Sequence, residues 1–267
     1  MKYQGSLPQH NDNVSHEHPL KDFLLILGGL GAVGVLAFWL LGFAVDWAVD
    51  GLSPQAEARL NSVAAVNLPA SPKQETKRGE RVQDLLTGMQ QCAGLNVIPR
   101  LRMHQSPVPN AAVVPGGTII VFTGLLDRVQ SENGLAFVLA HELAHIGNRD
   151  HLRALGRGIV LFGISAVLTG SDSGVSALLA PAAHLGTAKY SREREALADA
   201  RALQILNCRY GHAGGATELF EALKKADADV SGLSHYLASH PSMQARIDAL
   251  ARTISTQGMP VRAVRPL

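Results

Sequence analysis

Cysteine, aromatic residues and charge are all scarce in this sequence. Its only two cysteines, Cys92 and Cys208, lack the C-x-x-C spacing, and two are too few for a disulfide scaffold. They can form one bridge in an oxidising compartment, or stay as two half-buried thiols. Charged residues make up 17% of the chain and aromatic residues 5%, the net charge is +2, and no long run of Lys and Arg occurs. We therefore expect no binding to nucleic acid.

Apolar residues, by contrast, are abundant. They make up 46% of the 267 residues, which excludes a disordered chain. A chain of this length can hold one sizeable domain together with accessory segments.

The longest apolar run covers residues 23–45, FLLILGGLGAVGVLAFWLLGFAV, and contains no charge. At about 1.5 Å per residue, a helix of this length crosses a hydrocarbon core of about 30 Å. A cleaved signal peptide is the alternative, but the 22-residue leader and the length of the run argue against it. We predict one retained transmembrane helix.

The charges beside this run predict its orientation. Lys2 and Lys21 precede it, and Asp46 and Asp50 follow it. Positive residues stay on the cytoplasmic side, so the N-terminus is predicted to be cytoplasmic and the rest of the chain to lie outside. In a Gram-negative bacterium this describes a single-pass protein of the inner membrane with a periplasmic domain.

Hydrophobic periodicity and turn residues divide the chain further. The predicted segments are a polar tail at 1–22, the membrane helix at 23–45, a linker with a short helix capped by Ser53 at 46–78, a domain at 79–255 and a C-terminal tail at 256–267. The tail, which holds His10, His16 and His18, is predicted to be disordered, and a weak metal-binding tail is the alternative. Within the domain we predict helices at 79–93, 135–148, 190–207, 216–226 and 242–254, strands at 98–104 and 118–126, the latter running into a helix, and a turn region at 107–117.

Two apolar stretches inside the domain, residues 158–168 and 175–185, are each too short to cross a bilayer. They are predicted to be two buried helices that cover the core. The alternative is a hairpin that dips into the membrane.

The segment FVLAHELAHIGN, residues 137–148, carries the most specific motif. On a helix, His141 and His145 lie on one face, one turn apart, and can bind the same metal ion. Glu142 lies about 100° round the helix from His141 and can reach a water on that ion. This is the H-E-x-x-H pattern of zinc peptidases. Histidines satisfied within an apolar core are the alternative.

A catalytic zinc site needs a third protein ligand. The segment YSREREALADA, residues 190–200, offers Glu195 and Asp199 on one helix face. One of them can bind zinc while the other orients a ligand histidine. By itself, a charged helix of this kind is more often a solvated face with ion pairs.

Together these motifs resemble the membrane-linked gluzincin peptidases, the family that includes HtpX, BepA and the CAAX prenyl endopeptidases. The resemblance rests on HELAH, on SREREALAD 50 residues later, on NAAVVPGGTIIVFTGLLDRVQSENGLAFVLAHELAH and on SHPSMQARIDAL, and it covers roughly residues 80–252. It implies an α+β, predominantly helical, zincin-like domain with a small sheet beside the zinc helix. One predicted membrane span departs from the several spans of HtpX-type members.

The resemblance also implies roles for single residues. His141, His145 and Glu195 would bind zinc, Glu142 would be the general base, and Asp199 would hold a ligand histidine. His240 would either stabilise the oxyanion or cap zinc at rest, unless it only marks a loop-to-helix junction. Residues 110–114 would form a strand along which substrate could add.

We therefore predict a membrane-anchored endopeptidase with one Zn²⁺ per chain. It would act on unfolded or misassembled envelope proteins in quality control, and the sequence does not predict its oligomeric state. The alternative is a catalytically silent zinc-containing scaffold that binds partners in the membrane.

Overall fold

The computed structural model describes residues 19–53, 55–57, 59, 76–95, 99–114, 117–169, 190–225, 240 and 243–267. The chain divides into two compact units, Met1–Ala44 and Val45–Leu267.

Helix α1 (Pro19–Asp50) contains the whole of the predicted membrane span. It is the one described helix that is long and apolar enough to cross a membrane, with a mean hydropathy of 2.4 and no buried residue in its most apolar window. Apolar side chains that are exposed along a continuous helix fit a lipid environment.

The remaining elements belong to the second unit. They are α2 (Thr76–Ala93), β1 (Arg100–His104), β2 (Ala111–Val114), β3 (Thr118–Phe122), α3 (Thr123–Arg128), α4 (Glu132–Gly147), α5 (Asp150–Thr169), α6 (Arg192–Tyr210), α7 (Glu218–Lys225) and α8 (Met243–Thr256). This confirms the predicted fold class, a mostly helical domain with a small sheet.

The sheet has the strand order β1-β3-β2. β3 is parallel to β1, with Leu101 opposite Ile119, and antiparallel to β2, with Val113 opposite Ile119. The turn prediction for 107–117 is therefore wrong at residues 111–114. The four-residue run AAVV pairs with the buried β3 and is itself buried, so tertiary pairing decided its structure.

Helix α4 lies at the centre of the core, where it packs against β2, α2, α5, α6 and α7. It starts at Glu132, three residues before the predicted start, because Ser131 acts as the N-cap and its Oγ accepts a hydrogen bond from the Gly134 N–H at 2.9 Å. Glu218 of α7 in turn accepts hydrogen bonds from the Ser131 N–H and hydroxyl.

The C-terminal tail packs against the start of α4. The Glu132 N–H donates to the Arg265 carbonyl at 2.8 Å, and the Leu267 N–H donates to the Gln130 carbonyl at 3.1 Å. Pro266 pairs with Ser131 in a β-bridge. These backbone bonds tie the end of the chain to the helix that carries the central motif.

Cys92 and Cys208 form a disulfide that joins the end of α2 to α6, with their Cα atoms 5.8 Å apart. The bond closes a loop of 116 residues. In the chain-entropy model a loop of that size stabilises the fold by about 4–5 kcal/mol. The helix it restrains, α6, also carries Glu195.

Two predicted segments, residues 53–68 and residues 175–185, fall largely or wholly outside the described residues. In the first, at 53–68, the Ser53 cap is present, since its Oγ accepts a hydrogen bond from the Ala56 N–H at 3.2 Å, whereas residues 60–68 are not described. The first apolar stretch, 158–168, lies within α5, which begins at Asp150, and the prediction of a buried helix is wrong for residues 158–166, none of which is buried. Residues 175–185 are not described.

Candidate active site

The H-E-x-x-H motif lies on α4, which is buried from Asn133 to His145. His141 and His145 project from the same helix face, as their spacing predicts. Their Nε2 atoms are 3.0 Å apart. Two imidazole nitrogens at this separation are able to bind one metal ion.

Helix α6 brings the predicted third ligand to the same place. Its N-cap, Ser191, accepts a hydrogen bond from the Arg194 N–H at 3.3 Å and so sets Glu195 in the first turn. One carboxylate oxygen of Glu195 is 3.3 Å from His145 Nε2, and the other is 3.6 Å from His141 Nε2. The packing of α6 on α4 therefore joins two motifs that are 50 residues apart in the sequence.

His240 completes the cluster. Its Nδ1 lies 3.0 and 3.1 Å from the two carboxylate oxygens of Glu195, and its side chain is buried. One potential ligand atom from each of His141, His145, Glu195 and His240 lies within 4.8 Å of the others.

These residues fit a zinc ion. Zinc binds imidazole nitrogen at about 2.0–2.1 Å and carboxylate oxygen at about 2.0–2.2 Å, so the ligand atoms of a tetrahedral site lie about 3.4 Å apart. The separations among His141, His145 and Glu195 are 3.0, 3.3 and 3.6 Å. The donor set of two histidines and one carboxylate also matches a catalytic rather than a structural zinc site.

A carboxylate lies behind each histidine of α4. Asp199 is 2.9 Å from Nδ1 of His141, and Asp150 is 2.8 Å from Nδ1 of His145. Such contacts fix the ring orientation and keep Nε2 directed at the cluster. Asp199 was among the predicted residues, whereas Asp150 was not. The feature of the sequence that could have indicated Asp150 is an acidic residue five positions after His145, the second histidine of the motif.

Arg246 of α8 is a second residue that the sequence analysis missed. It is buried, and its guanidinium lies 2.8 Å from Glu195 and donates to both oxygens of Asp199 at 2.7 and 2.8 Å. One cation thus bridges two buried carboxylates. Its signal is an arginine four residues before Leu250, on the face of α8 that is buried.

The surroundings shift the pKa values of the two histidines in opposite directions. Burial, together with the charges of Arg246 and His145, lowers the pKa of His141 to about 4. Burial alone would also lower the pKa of His145, but its hydrogen bonds with Asp150 and Glu195 outweigh burial and raise that pKa to about 9.

The two buried acids of α6, Glu195 and Asp199, stay ionised in spite of their burial. Burial raises the pKa of Glu195, but the charge of His240 and the hydrogen bonds from His145 and His240 hold it far below its usual range. For Asp199, hydrogen bonds from Arg246 and His141 likewise outweigh burial and lower the pKa. The site therefore presents a negative oxygen to a cation.

Glu142 lies beside the cluster and has fewer hydrogen bonds than its members among the described residues. Its carboxylate is buried, and among the described residues Oε2 has no hydrogen-bond partner. Oε1 is 3.8 Å from Nε2 of His240. Burial raises the pKa of Glu142, so this carboxylate takes up a proton more readily than an ordinary glutamate.

A mostly apolar pocket opens beside Glu142. Its lining consists of Ala111, Phe137, Val138, His141, Glu142, Leu219, Phe220 and Arg246. Ala111 belongs to β2, which pairs on one side with β3 and with no other described strand. The predicted substrate strand, residues 110–114, thus lies beside the motif helix.

A buried H-E-x-x-H helix whose histidines meet a glutamate of a later helix defines a metallopeptidase domain of the gluzincin class. The model of peptidase family M48 matches residues 73–254. The chain belongs to this family, as the resemblance had predicted, and so carries a zinc metalloendopeptidase domain.

Three similar proteins illustrate the range of the family. The chain is 32% identical over 156 residues to mitochondrial metalloendopeptidase OMA1 of Schizosaccharomyces pombe, covering 55% of this chain and 44% of that protein. It is 32% identical over 190 residues to metalloendopeptidase OMA1 of Danio rerio, covering 65% and 39%. A protease HtpX homolog of Pelotomaculum thermopropionicum is 27% identical over 265 residues, covering 89% and 90%. The chain thus spans less than half the length of the two OMA1 proteins.

Proposed function

We propose that this protein is a membrane-anchored, zinc-dependent endopeptidase that holds one Zn²⁺ per chain. The observation that carries the proposal is the buried cluster of His141, His145 and Glu195, with Glu142 beside it, whose Oε2 has no hydrogen-bond partner in the described part of the chain. His141, His145 and Glu195 are the proposed ligands. When bound, zinc would lower the pKa of a water molecule and polarise the peptide carbonyl.

Glu142 is the proposed general base. Its carboxylate accepts the proton of the attacking water and passes it to the leaving amine. Burial assists this role because it raises the proton affinity of the carboxylate. Asp150 and Asp199 keep the two histidines in the tautomer whose Nε2 faces the cluster.

The substrate is proposed to bind as an extended strand along β2. That mode uses backbone hydrogen bonds and therefore tolerates many sequences. The adjacent pocket, lined by Phe137, Val138 and Leu219 among others, is mostly apolar, and we propose that an apolar side chain next to the scissile bond contacts this lining. An unfolded protein offers both features, an extended backbone and exposed apolar residues.

Metal analysis paired with cleavage of unfolded casein tests the function of the full chain. We expect one zinc per chain, cleavage of casein, loss of cleavage when a chelator removes the metal, and recovery when zinc is restored. Zinc without any cleavage would favour the catalytically silent scaffold. A chain that binds no zinc would contradict both functions.

Zinc binding is also expected to release a proton from His145. The pKa of this histidine, raised to about 9 by Asp150 and Glu195, means that its imidazole is protonated at neutral pH, whereas only the neutral ring binds metal. Calorimetric titration of the zinc-stripped protein in buffers of different ionisation enthalpy should show about one proton released per zinc near pH 7.5. Release should fall as the pH rises through about 9.

The matched variant for this titration is Asp150→Asn, which replaces the carboxylate that holds the His145 proton with a neutral amide. It should release less proton near neutral pH than the wild-type chain. If zinc binding to the wild-type chain released as many protons well above pH 9 as at neutral pH, this result would contradict a protonated His145 at neutral pH.

His240 is proposed to occupy the fourth metal position at rest. Its Nδ1 already contacts Glu195, and its ring lies among the other ligands. In cobalt-substituted protein, His240→Ala should change the visible spectrum, because a water replaces a nitrogen ligand. Basal cleavage of casein should change as well, and a hydroxamate inhibitor should bind more tightly because the position is free.

His212→Ala is the control for this experiment. His212 is also buried, but the metal-ligand cluster does not include it. An unchanged cobalt spectrum and unchanged cleavage in His240→Ala would rule out a resting ligand and leave His240 a role in packing.

The proposed location is the inner membrane of a bacterium, with the N-terminus in the cytoplasm and the peptidase domain in the periplasm. The charges on either side of residues 23–45 support this orientation. The Cys92–Cys208 disulfide supports an oxidising compartment for the domain. Unfolded or misassembled envelope proteins are the proposed substrates, which makes protein quality control the proposed role.

A further inference from the structure

The two halves of helix α5 have different surroundings. At its start, Asp150, His151 and Leu152 are buried in the domain. Residues 158–166 contain no buried side chain, and Ile159, Leu161 and Ile164 are 40%, 54% and 39% exposed. The helix therefore leaves the domain core after about two turns.

The exposed half is also apolar on every side. The sequence of these exposed residues, 158–166, is GIVLFGISA, and no charged residue occurs before the helix ends at Thr169. Ile159 and Leu161 point about 160° apart on a helix, so a single apolar stripe does not account for the pattern. A helix that is apolar all round belongs in a protein core or in lipid, and the core is excluded for this half by its exposure.

Three arginines show the direction in which α5 runs. Arg149 donates to the carbonyl of Val49 at 2.8 Å, and Arg153 contacts Asp50 at 2.5 Å and Asp46 at 3.1 Å. Arg157 contacts both oxygens of Asp46 at 3.2 Å. As α5 advances, its partners move back along residues 45–50, so the two segments are antiparallel.

The same contacts indicate where α5 lies relative to the membrane boundary. Asp46 is the first charged residue after the apolar span 23–45 and so lies at the membrane boundary. Arg157 pairs with Asp46 and therefore lies at that boundary too. Gly156 is close to Val45, since a Cβ added at Gly156 would lie 2.6 Å from a methyl carbon of Val45. A glycine permits such a close approach of two helices in a membrane.

We propose that residues 158–169 of α5 insert into the bilayer that α1 crosses, and that they form a second membrane contact of the peptidase domain. The lipid acyl chains are the partner of the exposed apolar side chains. Twelve helical residues reach about 18 Å, more than half of a hydrocarbon core of about 30 Å. This inference requires the anchor but does not depend on peptidase activity.

Spin labels in the full chain test the insertion. Single cysteines at Ile159, Leu161 and Ile164 are labelled with a nitroxide in phosphatidylethanolamine–phosphatidylglycerol vesicles, without reductant, so that the disulfide-bonded native cysteines do not react. Leu36→Cys in the membrane span and Leu197→Cys, 52% exposed on α6, are the references. For each label, the rate of collision with oxygen, which concentrates in lipid, is divided by the rate of collision with a water-soluble nickel chelate.

We expect the oxygen-to-nickel ratios at the three α5 positions to resemble that of Leu36→Cys and to exceed that of Leu197→Cys by about an order of magnitude. Ratios like that of Leu197→Cys would overturn the proposal, since α5 would then lie in water. Low collision rates with both reagents would overturn it as well, because a protein surface, from this chain or a second copy, would cover the helix. If Leu36→Cys itself reads as aqueous, the anchor and the insertion both fail.

Discussion

Replacing Glu142 by glutamine should lower the rate of casein cleavage by about three orders of magnitude, within the range of general acid–base catalysis. Glutamine has nearly the same shape, so the buried helix α4 and its packing are retained. It cannot take up the proton of the attacking water. Because Glu142 is not one of the proposed ligands, the zinc content should remain at one per chain.

Glu193→Gln is the matched control for Glu142→Gln. Glu193 lies two residues from Glu195 on the same helix, but its side chain is exposed. This variant makes the same chemical change and should cleave casein at the wild-type rate. Substantial cleavage by Glu142→Gln would exclude Glu142 as the general base, and loss of zinc in that variant would make it part of the ligand set.

The second large effect is expected for Arg246→Ala and concerns stability. Arg246 bridges the buried carboxylates of Glu195 and Asp199, and its removal leaves both without their shared cation. Breaking a buried ion pair from one side costs about 3–5 kcal/mol. Denaturant unfolding of the zinc-stripped protein should show a loss of this order.

Zinc should reduce the loss in Arg246→Ala, because a bound cation next to Glu195 replaces part of the missing positive charge. The same unfolding experiment with excess zinc therefore distinguishes charge compensation from simple packing. Arg246→Lys keeps the charge but not the bidentate fork, and should lie between the wild type and alanine.

Arg252→Ala on the same helix serves as the control, because Arg252 is exposed and should have no measurable effect. An equal loss with and without zinc in Arg246→Ala would mean that the arginine acts through packing alone. No loss in either condition would contradict the bridge between Glu195 and Asp199.

The sequence predicted the parts of the site whose geometry is local. The spacing of His141 and His145 follows from the pitch of a helix, and Glu195 and Asp199 share a face for the same reason. That the two helices meet could be expected only from the resemblance to a family, since the contact between α4 and α6 joins residues far apart in the sequence.

Asp150 escaped prediction for a physical reason. Arg149 has a left-handed backbone, with φ of +55°, between the end of α4 and the start of α5. This turn brings Asp150 back to within 2.8 Å of His145. A non-glycine residue in this conformation is uncommon and leaves no mark in hydrophobic periodicity. A continued helix would have directed Asp150 elsewhere.

The turn residues around β2 and the composition of the second half of α5 led to wrong predictions in opposite directions, although the family resemblance had implied a strand at 110–114. Residues 111–114 form a strand because β3 offers a partner for their backbone, although turn residues surround them. The composition of residues 158–166 predicted that they lie in the core, yet none of them is buried there. Composition reports a preference for an apolar environment and does not identify which one.

With Arg157 at the membrane boundary, as proposed, its contact with Asp46 leaves a short distance between the bilayer and the proposed catalytic residues. Asp150, which holds His145, precedes Arg157 by seven residues, or about 10 Å along the helix. An extended chain covers about 3.3 Å per residue, so a substrate that emerges from the membrane beside α5 needs only three or four residues to arrive at the cluster. This enzyme could then cleave a substrate close to the point at which it leaves the membrane. A folded domain at the lipid surface would have to unfold first.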